Sequence, residues 1–228
     1  MIDFQNAQSI VIPEGEVAVI ARGDEILWQK SKRPDENTLL LLHGEDFVDS
    51  SKYARTIVNN NVVIADDGKF GKCFYISKNP GHNVETWINH AETFNSDFTI
   101  DYWVKPEHNG YMYEEQVISN VSYTLWIGEE SGRFVVRQYD NGNQIHAGIL
   151  PHDTFTHVAV VRCNNVLYLF INGVLQGTSG APSYTNADNF CIGGRTSDNK
   201  FSGWIDEFRL SNVARWTSDF TPPSKPYE

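Results

Sequence analysis

The sequence predicts an all-β fold: two antiparallel sheets packed as a jelly-roll sandwich, with a small β-hairpin element at the N-terminus. Three observations predict it. Short apolar runs recur from Thr38 to the end of the chain. Turn pairs stand between them, at Asp67-Gly68, Ser131-Gly132, Asn141-Gly142, Asn164-Asn165 and Asn172-Gly173, where Gly and Asn allow the positive φ of tight hairpins. No helical periodicity of useful length appears, and only Asn212–Arg215 reads as a turn of helix. Many strands without helices point to a sandwich or jelly roll.

The elements follow in order. Residues 1–30 hold three short apolar runs, Ser9–Pro13, Glu16–Ile20 and Glu25–Trp28, separated by Gly15 and by Arg22-Gly23-Asp24. They read as a hairpin or meander with too little apolar area to stand alone. This element therefore packs on the main domain, on another copy or on a partner, as an attachment or assembly device. Arg22-Gly23-Asp24 reads as a turn rather than as a cell-attachment triplet. Residues 31–37 are charged, contain Pro34 and read as a linker. Residues 38–228 form the main domain, with strands at Leu39–Leu42, Val62–Ala65, Cys73–Ser77, Phe98–Lys105, Gln116–Asn120, Tyr123–Ile127, Arg133–Tyr139, Asn143–Ile149, Phe155–Cys163, Val166–Ile171, Val174–Thr178, Phe190–Gly193 and Phe201–Leu210.

Composition excludes several classes. The formal net charge is -11, which is no basis for a broad nucleic-acid surface. No 18-residue apolar run offers a membrane span. The first residues carry neither a basic nor an apolar leader segment, so the expectation is synthesis in the cytoplasm. Cys73, Cys163 and Cys191 lie in apolar runs without a Cys-x-x-Cys pair and read as small buried hydrophobes.

Five landmarks in order resemble a laminin-G-like domain of the concanavalin A-like lectin/glucanase superfamily. They are Leu39-Leu40-Leu41-Leu42-His43-Gly44, Gly71-Lys72-Cys73-Phe74-Tyr75-Ile76, and Asp97-Phe98-Thr99-Ile100-Asp101-Tyr102-Trp103-Val104-Lys105-Pro106. The hairpin Thr156–Arg162 with Leu167–Gly173 follows, then Ile192-Gly193-Gly194 with Ile205-Asp206-Glu207. The resemblance covers about residues 38–223 and implies sugar or protein binding, with hydrolysis in a minority of members. It also implies one structural calcium between the opening segment and the last strand, at Gly44, Glu45 or Asp46 with Asp206. A metal, an arginine such as Arg209, or backbone donors would each satisfy Asp206 inside its apolar strand. Residues 12–17 with Leu27-Trp28 resemble segments of bacteriophage and prophage structural proteins, which implies a virion-associated protein after release.

Hydrolases of the superfamily resemble one another in carboxylates at i, i+2 and i+4 or i+5, which share one sheet face. The adjacent pairs Glu114-Glu115, Glu129-Glu130 and Asp206-Glu207 are expected to point opposite ways, so no enzyme is expected. Alternation instead assigns a binding face. Phe98, Ile100, Tyr102 and Val104 turn inward, and so do Leu125, Ile127, Phe134, Val136, Ile145, Ala147 and Ile149. Asp101 and Trp103 turn outward on their strand, and Trp126, Arg137, Tyr139, Gln144 and His146 form an outward patch suited to stacking and hydrogen bonding of sugar. Tyr111 and Tyr113 overhang it on the loop 107–115. The expected role is non-enzymatic binding of a glycan or cell-surface receptor, as an adhesion module of a phage tail, fibre or decoration protein. Homo-oligomers or virion contacts would form through the N-terminal element. The alternatives are a glycan hydrolase with diverged acids and a purely structural assembly domain.

Overall fold

The computed structural model describes residues 35–77, 82–89, 94–107, 115–120, 125–137, 144–181, 187–194 and 201–228, and three further strands before residue 30 by their backbone. The chain divides into two compact units, Met1–Arg33 and Pro34–Tyr227. In the first unit, β1 (Gln8–Val11), β2 (Val17–Arg22) and β3 (Glu25–Gln29) form an antiparallel sheet in that order. Arg22 pairs with Glu25 at the end of the β2–β3 ladder.

In the second unit every regular element among the described residues is a strand. These are β4 (Thr38–Leu42), β5 (Val58–Asn60), β6 (Val63–Ala65), β7 (Cys73–Ile76), β8 (Asn83–Asn89), β9 (Phe98–Pro106), β10 (Glu115–Asn120) and β11 (Trp126–Glu130). The chain continues through β12 (Arg133–Arg137), β13 (Gln144–His146), β14 (Thr156–Cys163), β15 (Val166–Ile171), β16 (Val174–Gly180), β17 (Ala187–Ile192) and β18 (Gly203–Ser211). One sheet has seven strands in the order β13-β12-β11-β10-β17-β8-β5. The other has eight, β16-β15-β14-β9-β18-β7-β6, with β4 paired to β18. All these ladders are antiparallel, as in a jelly-roll sandwich.

The period of two fills the space between the sheets. Phe98, Ile100, Tyr102 and Val104 of β9 join Ile127, Phe134, Val136, Ile145, Phe190, Ile205 and Phe208 in one buried cluster. Hairpin turns fall where the sequence placed them: Asn164 and Asn165 (φ 49° and 64°) join β14 to β15, and Asn172 with Gly173 (φ 49° and 77°) joins β15 to β16.

Several expectations need correcting. Strands β5 and β8 escape a hydrophobic reading because β8 is mostly polar; its Thr86 is buried yet satisfied through Thr56 O at 2.9 Å. Asn212–Arg215 forms no helix: the chain bends at Asn212-Val213 after β18 and crosses the outer face of the eight-stranded sheet. Ile149 is 46% exposed, since β13 ends at His146 and the alternation stops there. Cys163 is only half-buried, at the end of β14, whereas Cys73 and Cys191 are buried as expected.

The largest difference concerns Asp101 and Trp103. They do turn away from the core, but at 0% and 6% exposure neither meets water. Lys69 and Phe70 of the β6–β7 loop lie against Trp103, and residues past β18 cover the Asp101 side. Ala214, Trp216 and Phe220 pack on Ala159, Val161 and Phe170 of that outer face, and Trp216 stacks on Phe220 with centroids 3.9 Å apart. The strap is fastened at the Asn172-Gly173 turn, where Phe220 N–H donates to Gly173 O at 2.9 Å. A Cβ on Gly173 would collide with the Phe220 carbonyl.

Candidate functional site

Three antiparallel strands assemble the expected patch on the outer face of the seven-stranded sheet. Trp126 of β11 is the cross-strand partner of Arg137 on β12, and Arg137 is the partner of Gln144 on β13. His146 lies two residues along β13, opposite Val135. The patch is therefore contiguous. It is not open at its aromatic end: Trp126 is 1% exposed, although it belongs to the face opposite the core. The Arg137 guanidinium lies 4.5 Å from the Trp126 ring centroid and pairs with Glu130. This corrects the expectation of a bare indole for sugar stacking. Gln144 and His146 are exposed and Arg137 is partly so, which leaves a polar surface. Tyr139, Tyr111 and Tyr113 lie outside the described residues.

The expected cation position is divided between two turns. Asp46 Oδ1 accepts the Val48 N–H at 3.0 Å, an Asx turn. Asp206 is 1% exposed and accepts the Phe70 N–H at 3.0 Å through Oδ2, while its Oδ1 has no hydrogen-bond partner among the described residues. Burial raises its carboxyl to about 6. Among the described residues no three His, Cys, Asp or Glu side chains converge as a metal cluster. Backbone donation, one of the three options for Asp206, is seen at Oδ2. Arg209 is committed elsewhere.

Arg209 grips Asp101 with two hydrogen bonds, Nε to Oδ1 at 3.0 Å and Nη2 to Oδ2 at 2.8 Å. Burial alone would raise the Asp101 carboxyl, but Arg209 and the nearby His157 outweigh it and hold the group down at about 2. His157 is fully buried, with Nε2 3.0 Å from the Tyr227 hydroxyl. The Tyr227 ring lies 4.0 Å from the Arg209 guanidinium. A β-bulge at Asp206–Arg209, with Glu207 at φ 50°, turns Asp206 and Glu207 to the same side. Glu207 accepts the Tyr227 N–H at 2.7 Å and meets His43 Nδ1 at 2.9 Å. The expectation of opposed carboxylates fails there because a bulge breaks the period of two. These groups clamp the strap to the sheet, and all but the half-buried His43 are closed to solvent.

The other end of the same outer face carries a row that the sequence reading did not single out. Val63 pairs with Tyr75, Tyr75 with Trp204, and Trp204 with Lys105 across β6, β7, β18 and β9. Phe155 adjoins Lys105, whose Nζ is 5.0 Å from its ring centroid and 4.2 Å from that of Trp204. Tyr75 and Trp204 stand 5.1 Å apart at 41°. All three rings are half-buried and Val63 is 57% exposed. Alternation alone flags Tyr75 between Phe74 and Ile76, and Trp204 before Ile205. The pairing that aligns them is non-local, so no spacing in the chain reveals the row.

A profile described as the concanavalin A-like lectin/glucanases superfamily, of laminin G type, matches residues 79–219. No curated protein matches the chain. Among solved structures, the chain is similar to the binding domain of Paraclostridial Mosquitocidal Protein 1, with 20% identity and TM-score 0.64 over 78% of this chain and 49% of that one. It is equally similar to the binding domain of botulinum neurotoxin serotype G, at 16% identity and TM-score 0.64, covering 78% and 48%. Domain 4 of an extracellular arabinanase from Geobacillus stearothermophilus, in complex with arabinotriose, aligns at 21% identity and TM-score 0.61, covering 78% and 93%. The chain spans about half the length of the two toxin binding domains. At these identities the likeness is one of fold.

Proposed function

The chain belongs to the concanavalin A-like lectin/glucanase superfamily, and on that premise we propose that it is a carbohydrate- or receptor-binding module without catalytic activity. The observation that carries the reading is the match of this sandwich to two domains named for binding and to a third in complex with arabinotriose. The polar patch of Arg137, Gln144 and His146 supports it, since such groups exchange hydrogen bonds with sugar hydroxyls. With Trp126 covered by Arg137, recognition on that face is by hydrogen bonding rather than by ring stacking.

The setting we infer is a tail, fibre or decoration protein of a bacterial virus, with Met1–Arg33 as the attachment or assembly unit. Among its described residues that unit has three strands, and so small a sheet buries little apolar surface of its own. The test is a glycan array probed with the full chain, alongside assay of reducing-sugar release from the same glycans. Binding without release is expected. Release would make the protein a hydrolase, and binding to no glycan would leave a structural assembly domain.

A further inference from the structure

We propose that the row Tyr75–Trp204–Lys105–Phe155 is a platform for a neutral oligosaccharide. The proposal rests on the carbohydrate-binding reading and gives it a site on the sheet opposite the polar patch. Neighbouring strands lie about 4.8 Å apart, so the run from Val63 to Lys105 spans about 14 Å before Phe155 extends it. That length suits several sugar units laid across the strands. The rings bring apolar surface to the C–H faces of a pyranose or furanose, and they lose little conformational freedom on binding.

The rings are held in place before any ligand arrives. The Tyr75 hydroxyl donates to Glu107 Oε2 at 3.3 Å, and the Ser202 hydroxyl donates to the same oxygen at 2.6 Å. Lys105 is held by Asp67 while its ammonium lies against the Trp204 and Phe155 rings. Groups fixed in this way lower the ordering cost of binding. Their spare carboxylate lone pairs accept hydroxyl protons.

Charge selects the ligand class. Asp67 and Glu107 flank Lys105, which Asp67 already neutralises, and the whole chain carries -11. Sialylated, sulfated or phosphorylated ligands meet repulsion here, and a neutral chain does not. The exposed apolar strip is one residue wide along each strand, which is narrow for a stable protein interface.

The test is titration of the full chain with arabinotriose and with a panel of neutral and sialylated oligosaccharides, read by calorimetry and by the Trp indole N–H signals in NMR. A neutral glycan is expected to bind and to shift the Trp204 signal. Tyr75→Ala and Trp204→Ala are expected to weaken binding by about tenfold or more. Trp204→Phe keeps a ring in the row and serves if Trp204→Ala does not fold; a smaller loss is expected. Neutral-glycan binding that ignores Tyr75 and Trp204 but is lost in Gln144→Ala overturns this site and leaves the carbohydrate reading standing. Binding of sialylated glycans alone overturns the neutral assignment. Binding of none overturns both. A change in solution mass that Trp204→Ala abolishes shows a protein partner instead, and also overturns the proposal.

Discussion

The two ends of one sheet surface differ. On the outer face of the eight-stranded sheet, the end built from β14, β15 and the middle of β9 is roofed by the chain beyond β18, and its Asp101–Arg209 pair is buried. The end built from β6, β7 and the start of β18 has no such roof among the described residues, and its rings reach the surface. Both ends use the same device, an aromatic or charged residue at alternate positions of strands whose other face fills the core. Trp103 and Trp204 are themselves outward residues of the adjacent strands β9 and β18. What separates a structural residue from a candidate ligand contact here is whether a distant segment lies across it. That property belongs to the tertiary fold and not to local sequence.

The contrast is broken most severely at the buried pair. Arg209→Met leaves Asp101 buried without its two-point partner, and is expected to cost about 3–5 kcal/mol in chemical denaturation. Replacing both residues by apolar ones of similar size is expected to recover most of that loss. Trp103→Ala is expected to cost a similar amount by emptying a covered position, whereas Trp204→Ala costs about 1 kcal/mol, because the open end of the sheet carries little of the stability. Equal losses for the two tryptophans would erase the distinction.

A smaller effect comes from Asp206. Its carboxyl is raised to about 6, so the folded state holds the proton more tightly than the unfolded chain, whose value is near 3.8. Stability then falls as pH rises through that window, and the ionised group is a cost at neutral pH. Asp206→Asn is expected to stabilise the protein by about 1–2 kcal/mol at pH 7.5 and to make no difference near pH 4. A calcium ion at this position predicts the opposite: loss of stability in Asp206→Asn, and a melting temperature that rises with added calcium in the unaltered chain.

The smallest effect is at His43. Its hydrogen bond to Glu207 raises the imidazole above 6.5. The stabilisation is complete below 6.5 and fades as pH rises through the raised value. His43→Gln is expected to cost under about 1 kcal/mol at pH 6 and less at pH 8, as thermal denaturation at the two pH values would show.

The sandwich itself was legible because alternation and turn chemistry are local. Phe98, Ile100, Tyr102 and Val104 announce their face within one strand, and Asn172-Gly173 announces its hairpin. Strand β8 was not legible, because Asn83, Glu85 and Thr86 satisfy themselves through hydrogen bonds that no hydropathy pattern records. The bulge at Glu207 was equally hidden, since one extra residue in a ladder leaves no compositional trace. The outward patch was legible as a set of neighbours, with Trp126, Arg137 and Gln144 in register. Its closure was not legible, because a guanidinium folding over an indole depends on Glu130, seven residues away across a turn.

Gly173 has no side chain to contribute, yet it governs how much of this surface water can touch. The backbone of Phe220 rests where any other residue would place its first carbon. One added methyl group at that hairpin would pry the terminal segment away and undress His157 and Asp101 together. The most consequential position for the outer surface is therefore one that takes no part in chemistry.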